Sequence, residues 1–369
     1  MSATGINALT IQAGPAALAR LRQHGLRAQD IAVIPAAAGG PKGLIFQKLD
    51  QWLFGAWLPA APRPRTLIGA SIGAWRMAAA CCADPAAAFQ RLGDLYSEQR
   101  YPPKPSARFV TDTCEQMLAG MIGGHETEIT QHPHYRLQVL TARGRHLLHA
   151  PAGNAAIGAG FALATLGNLA ARAQLAPHLA RVVIGDQRDA LPWLREKFDA
   201  FHTQFAPLSA ANLGSALLAS GTLPFTMAPV RGIPGAPAGT YWDGGLIDYH
   251  LALPYSRIHT EENGALVLYP HFGPEIVPGC LDKALPWRRA HRGRNRGWLD
   301  NVILISPSPE FLRTLPRGRL PDRKDFHHYG LDHDARRRAW QQAMAEGERL
   351  RDALAAFAAR PDPALVRPL

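Results

Sequence analysis

The chain has 369 residues, 47% of them hydrophobic, and 40 Lys plus Arg against 29 Asp plus Glu, a formal net charge of +11. That is ample material for a sizeable core, while the four cysteines, with Cys81 and Cys82 adjacent and Cys114 and Cys280 isolated, give neither a disulfide framework nor zinc spacing. Met1 to Gln12 lacks the basic start, apolar block and cleavage site of a secretory leader, so a cytoplasmic protein is expected.

Ala8 to Gln12 reads as a first apolar strand. Asp30 to Pro35 reads as a buried strand that runs into Ala36-Ala37-Ala38-Gly39-Gly40-Pro41-Lys42-Gly43, ahead of a helical pattern from Leu44 to Phe54. Consecutive glycines let backbone N–H groups converge, and the start of the next helix adds unpaired donors and the positive end of its dipole. That combination cradles an anion. A nucleotide phosphate is disfavoured: the P-loop needs GK followed by Ser or Thr, whereas Gly43 and Leu44 follow Lys42, and no GxGxxG is present in this loop. An oxyanion hole is the remaining use.

Thr66 to Gly69 is the next buried strand, and Leu67-Ile68-Gly69-Ala70-Ser71-Ile72-Gly73 carries it through GxSxG into an Ala-rich helix. A serine at such a strand-to-helix elbow is held out at the strand's carboxyl end, with the Ile72 N–H facing the same pocket. Ser71 is therefore placed to attack a carbonyl.

Tyr101 to Gly124 is Pro-rich and then helical, and Ala152 to Ala171 is a run without a charged side chain. Its Ala and Gly content, with Asn154 and Asn168, makes it a buried or cap helix rather than a membrane span. These segments are expected to line an acyl pocket. Further strands are predicted at Leu137 to Thr141, Arg181 to Gly185, Ala265 to Tyr269 and Asn301 to Ser306. Thr240-Tyr241-Trp242-Asp243-Gly244-Gly245 is a short β-prone run ending in a carboxylate and a tight bend, which can aim Asp243 into a site. Strands alternating with helices predict an α/β fold of three layers: a mostly parallel central sheet with helices on both faces.

GGxKG, GxSxG and DGG in this order resemble the patatin-like phospholipases, as does the AS-x-x-x-P-x-x-x-x-P pattern of Ala219 to Pro229; the likeness runs from about Ile31 to Pro254. The resemblance implies a Ser–Asp dyad without a histidine: Asp243 takes the Ser71 hydroxyl proton, an acyl-enzyme forms, and Gly39, Gly40 and Ile72 donate to the oxyanion. Ala37 and Ala38 replace the first Asp and Gly of the family's DGGG. Lys42 stands for its arginine, with the charge but not the planar fork, as a possible contact to a headgroup anion. The expected activity is cleavage of fatty acyl esters of phospholipids or related lipids. Acyl transfer at the same site, or lipid binding with weak turnover, are the alternatives. A rival Ser-His-Asp triad would use His271, two residues beyond the Ala265 to Tyr269 strand.

Since Ser71 and Asp243 must meet, residues 1–306 read as one catalytic domain with a cap at about 100–180, and 307–369 as a basic, helical extension in which Ala335 to Ala359 forms one long amphipathic helix. His125, His132, His134, His146 and His149 lack metal-ligand spacing, and neither metal nor cofactor is assigned. Arg288, Arg289, Arg292, Arg294 and Arg296, bracketed by Trp287 and Trp298, form a basic cluster that a peripheral contact with anionic membrane would use. A second series, Arg313, Arg317, Arg319, Arg323, Lys324 and Arg336 to Arg338, reads as a solvated charged face. No nucleic-acid motif accompanies this charge.

Overall fold

The computed structural model describes residues 8–258, 265–293 and 295–369. Eleven strands form one sheet: β1 (Leu9–Ala13), β2 (Ile31–Ala36), β3 (Arg65–Ala70), β4 (Tyr135–Gly144), β5 (Leu179–Gly185), β6 (Thr203–Pro207), β7 (Val230–Arg231), β8 (Thr240–Asp243), β9 (Leu266–Pro270), β10 (Val302–Pro307) and β11 (Val366–Pro368). Their order is β11-β1-β10-β9-β2-β3-β4-β5-β6, with β8 joining β4 and β7 joining β8. The run from β10 through β9, β2 and β3 to β4 is parallel, and antiparallel pairs occur at β1 with β10, at β4 with β5 and β8, and at β7 with β8. With helices packed around it, this is the expected α/β architecture with a mostly parallel central sheet.

β2, β3 and β5 are buried along their whole length. That is why they read as continuous apolar runs rather than as alternating ones, because a parallel strand covered on both faces has no wet side. β4 runs past the end of its parallel neighbour. Its first six residues pair with β3, and its far half, Thr141 to Arg143, pairs with β8. This overhang brings Asp243, the last residue of β8, to the carboxyl end of β3, where Ser71 follows.

The chain after Pro307 packs back on the body. β11 pairs with β1 and becomes the edge of the sheet, and the helix Glu348–Ala359 lies against the helix Gln47–Trp52. The single long helix expected over Ala335 to Ala359 is two helices, His333–Glu346 and Glu348–Ala359. They break at Gly347, where a β-carbon would sit 2.4 Å from the Ile45 carbonyl oxygen. The expected helices at Tyr101 to Gly124 and Ala152 to Ala171 are found as Ala107–Ile122 and Asn154–Ala170. Among the described residues no helix is long and apolar enough to cross a membrane.

Candidate active site

β3 ends at Ala70, and Ser71 turns the chain into the helix Ile72–Ala80 with φ +55° and ψ −131°. A non-glycine residue is rarely held there, and such strain persists only when the surroundings fix it. Several contacts do so. The Ser71 N–H donates to Ser220 Oγ at 2.8 Å, and that hydroxyl in turn donates to the Leu140 carbonyl at 2.7 Å. The helix behind the elbow is buried on every side, and a β-carbon on Gly73 would fall 2.0 Å from the Ala36 carbonyl oxygen. Only glycine lets this helix start press so closely on the end of β2.

The three glycine motifs converge at this place. Gly245 lies against Ala38, whose β-carbon is 2.8 Å from the point where one on Gly245 would sit, and Gly244 lies against Ala70 and the Leu140 carbonyl. The Ala38 N–H donates to the Tyr249 carbonyl at 2.9 Å, which ties the Gly39–Gly40 loop to the bend after Asp243. Asp243 itself is braced twice. Its N–H donates to the Thr222 carbonyl at 2.7 Å, and its Oδ1 accepts the Gly245 N–H at 2.7 Å. The Ser71 hydroxyl lies near enough to the Asp243 carboxylate to favour its ionised form. Both side chains are nearly buried, 4% and 5% exposed.

Burial pushes the Asp243 carboxyl above the ordinary carboxylate range, because a charge is costly away from water. The Arg323 guanidinium opposes this most, followed by the nearby Ser71 hydroxyl, the Gly245 N–H and the Lys283 ammonium. A carboxylate with a raised pKa beside a hydroxyl is chemically suited to accept a proton.

The Gly39 N–H has no hydrogen-bond partner among the described residues. Gly40 and Ile72 each open a helical segment, where the first N–H groups lack an acceptor within the turn. Gly40 has φ +57°. Phe272, stacked on Phe46, covers Gly39 so closely that a β-carbon there would lie 2.5 Å from its ring.

Ser71 opens into a cavity of about 800 Å³. Its apolar wall comes from Ile72, Trp75, Tyr101, Val110, Met117 and Leu223 among others, so the helix Ala107–Ile122 lines it as expected. The Ala152 to Ala171 stretch does not. None of its residues lines the cavity, and its helix packs instead on Trp242, Leu175 and Leu148 in a separate apolar cluster. The expectation that this stretch lines the acyl pocket is therefore corrected: its buried face packs in that cluster, with Gly160 pressed closely against Leu148.

His271 lies apart from the Ser71–Asp243 pair. It is fully buried among His250, Tyr269 and Phe272, and its Nδ1–H donates to the Gly273 carbonyl at 2.5 Å. Burial pulls its pKa down to about 4. It does not line the cavity. Lys42 is half-buried and lies outside the cavity wall.

Sequence reasoning missed the wall supplied by the end of the chain, where Arg323, Phe326, His327, Gly330, Leu331 and His333 all face the cavity. Nothing in that Arg-rich run marks Arg323 apart from its neighbours. Those neighbours are held by ion pairs: Arg317 and Arg319 bind Asp325, and Arg337 faces Glu98 and Asp334. Arg336 is buried between Phe326 and Trp340 and donates to the Gln99 carbonyl. In the 288–296 cluster Arg288 pairs with Asp282, and Arg289 and Arg292 pair with Glu275. Arg294 lies outside the described residues, and Arg296 forms no ion pair among them. Trp287 is exposed, whereas Trp298 is half-buried edge-on to Phe198.

An α/β sheet with a strained serine at its carboxyl edge and a carboxylate beside it is the architecture of an esterase-type elbow. The family model of the patatin-like phospholipases matches residues 39–253, more than half of the chain, and the chain belongs to that family of lipid acyl hydrolases. No curated protein matches it. The cavity wall from Arg323 to His333 lies beyond the matched residues.

Proposed function

We propose that the protein cleaves fatty acyl esters through a Ser71–Asp243 dyad. As Ser71 Oγ attacks the ester carbonyl, Asp243 takes its proton, and the oxyanion is met by the N–H groups of Gly39, Gly40 and Ile72. The bond to the alcohol breaks as the alcohol recovers that proton from Asp243, leaving an acyl-enzyme. Asp243 then takes a proton from water, the hydroxide adds to the acyl carbon, and Ser71 leaves with the proton returned. The observation that supports this reading is the strained Ser71 at the wall of a mainly apolar cavity, with the buried Asp243 carboxylate close enough for the serine hydroxyl to favour its ionised form. An acyl chain is the natural occupant of such a wall, since transferring each methylene from water is worth about 0.8 kcal/mol.

A fluorophosphonate probe tests it. Wild type should be labelled and Ser71→Ala should not, with turnover of p-nitrophenyl esters falling in parallel. Labelling that persists in Ser71→Ala contradicts the reading. Peripheral contact with an anionic lipid surface belongs to the same proposal, through the exposed Trp287, Arg296 and the overall positive charge. Binding to vesicles should then rise with anionic lipid content and fall with salt.

A further inference from the structure

Three cations near the site form no ion pair among the described residues: Arg323 and Lys283, which act on Asp243, and Lys42, which acts on Tyr249. Most other arginines near the chain's end are matched to a carboxylate or buried against carbonyls, as above, so these three stand out by contrast. Arg323 forms part of the same cavity wall as Ser71. Its Nε lies 3.1 Å from the point where a β-carbon on Gly40 would sit, which puts the guanidinium over the proposed oxyanion loop. Lys283 Nζ sits 3.9 Å from the centre of the Tyr249 ring. The edge of that ring is 3.3 Å from the β-carbon position of Gly245, and Asp243 Oδ1 is 2.9 Å from the same point. Tyr249, nearly buried, thus touches both Lys283 and the bend that follows the carboxylate.

Like charges gathered on one side of a site repel each other and are stabilised by an anion that enters between them. Arg323 and Lys283 both act on Asp243 and on each other, and Lys42 and Arg323 both act on the Tyr249 hydroxyl. Asp243 is one compensating charge, and its Oδ1 is already engaged by the Gly245 N–H. The planar donors of Arg323 remain open toward the cavity, and guanidinium suits the paired oxygens of phosphate or carboxylate.

We propose that Arg323 and Lys283, with Lys42 behind them, form a subsite for the anionic phosphate that flanks the scissile ester, making the enzyme selective for acidic phospholipids over neutral acyl esters. The proposal rests on the acyl hydrolase reading and gives the chain's end, beyond the family match, a part in choosing the substrate. The phosphate it recognises has two sources, a lipid headgroup or the free ion.

The test compares kcat/KM for phosphatidic acid with that for diacylglycerol of the same acyl chains, in micelles of neutral detergent. Wild type should favour the anionic lipid by at least ten-fold. Arg323→Gln should lower that ratio about ten-fold, mainly through KM, Lys283→Gln several-fold, and Arg323→Lys should restore part of it. Calorimetric titration with inorganic phosphate and with glycerol 3-phosphate supplies the second arm. Tighter binding of glycerol 3-phosphate, lost in Arg323→Gln, assigns the site to a headgroup, and equal binding of both, lost in the same variant, assigns it to free phosphate. A wild type without preference, or variants that lose activity on both lipids equally and keep the ratio, overturns the proposal while leaving the hydrolase reading in place. If neither lipid is cleaved, the hydrolase reading fails and the titration decides: phosphate binding unchanged in Arg323→Gln, or absent from wild type, overturns the subsite.

Discussion

Ser220, 149 residues after Ser71 in the chain, holds the elbow in place: its Oγ accepts the Ser71 N–H at 2.8 Å and donates to the Leu140 carbonyl at 2.7 Å. One fully buried hydroxyl therefore joins the strained turn to the central strand β4.

Ser220→Ala should leave the Ser71 N–H and the Leu140 carbonyl unpaired in a dry environment. The expected loss is about 1–3 kcal/mol of stability, with kcat lowered because the elbow relaxes. Chemical denaturation and ester turnover check this together. A variant as stable and as active as wild type would show that water replaces the hydroxyl.

The pH profile should carry the signature of Asp243. Its carboxyl must be ionised to accept the serine proton, and burial raises its pKa, so the acid limb of kcat/KM should lie above the ordinary carboxylate range. Arg323 works against that rise. Arg323→Gln should therefore shift the limb to still higher pH, and a shift downward would contradict the electrostatic account.

Stability should move in the opposite sense to activity. A carboxyl whose pKa is raised on folding contributes stability below its unfolded value, and that contribution is lost as the pH rises through the folded value. At neutral pH the ionised Asp243 is thus a cost, and Asp243→Asn should melt higher than wild type. The gap should close as the pH falls below the raised value. Thermal melts across that range provide the measurement.

Arg181 braces the bend after Asp243 from beneath. It is buried and reaches Asp248 at 2.6 Å and Asp199 at 2.7 Å, and those carboxylates hold its pKa above the usual range despite burial. Arg181→Met strands the Asp248 charge and should cost about 3–5 kcal/mol. Replacing Arg181 and Asp248 together by apolar residues should recover part of it.

Much of this architecture is legible in the residues, for identifiable reasons. The seven apolar runs predicted as strands correspond to β1, β2, β3, β4, β5, β9 and β10, because a strand buried on both faces, as β2, β3, β5, β9 and β10 are, must be largely apolar, while β1 alternates. β6, β7 and β11 escaped notice: β6 is only partly buried, β7 has two residues, and β11 is three residues long with two exposed. The glycine motifs could be found because close backbone approach tolerates few other residues. Ser220 falls within the Ala219 to Pro229 pattern, but its part in holding the elbow, like that of Arg323, depends on contacts across the chain that no local pattern encodes. The Ala152 to Ala171 stretch misled for a related reason, as small residues signal close packing without saying against what.

The account stands most directly on which side chain takes the serine proton. Turnover of a p-nitrophenyl ester by Asp243→Ala and by His271→Ala, each compared with wild type, separates the two bases. Asp243→Ala should lose on the order of 10³-fold or more in kcat, and His271→Ala should keep most of its activity. The reverse pattern, with His271→Ala inactive and Asp243→Ala active, would contradict the dyad.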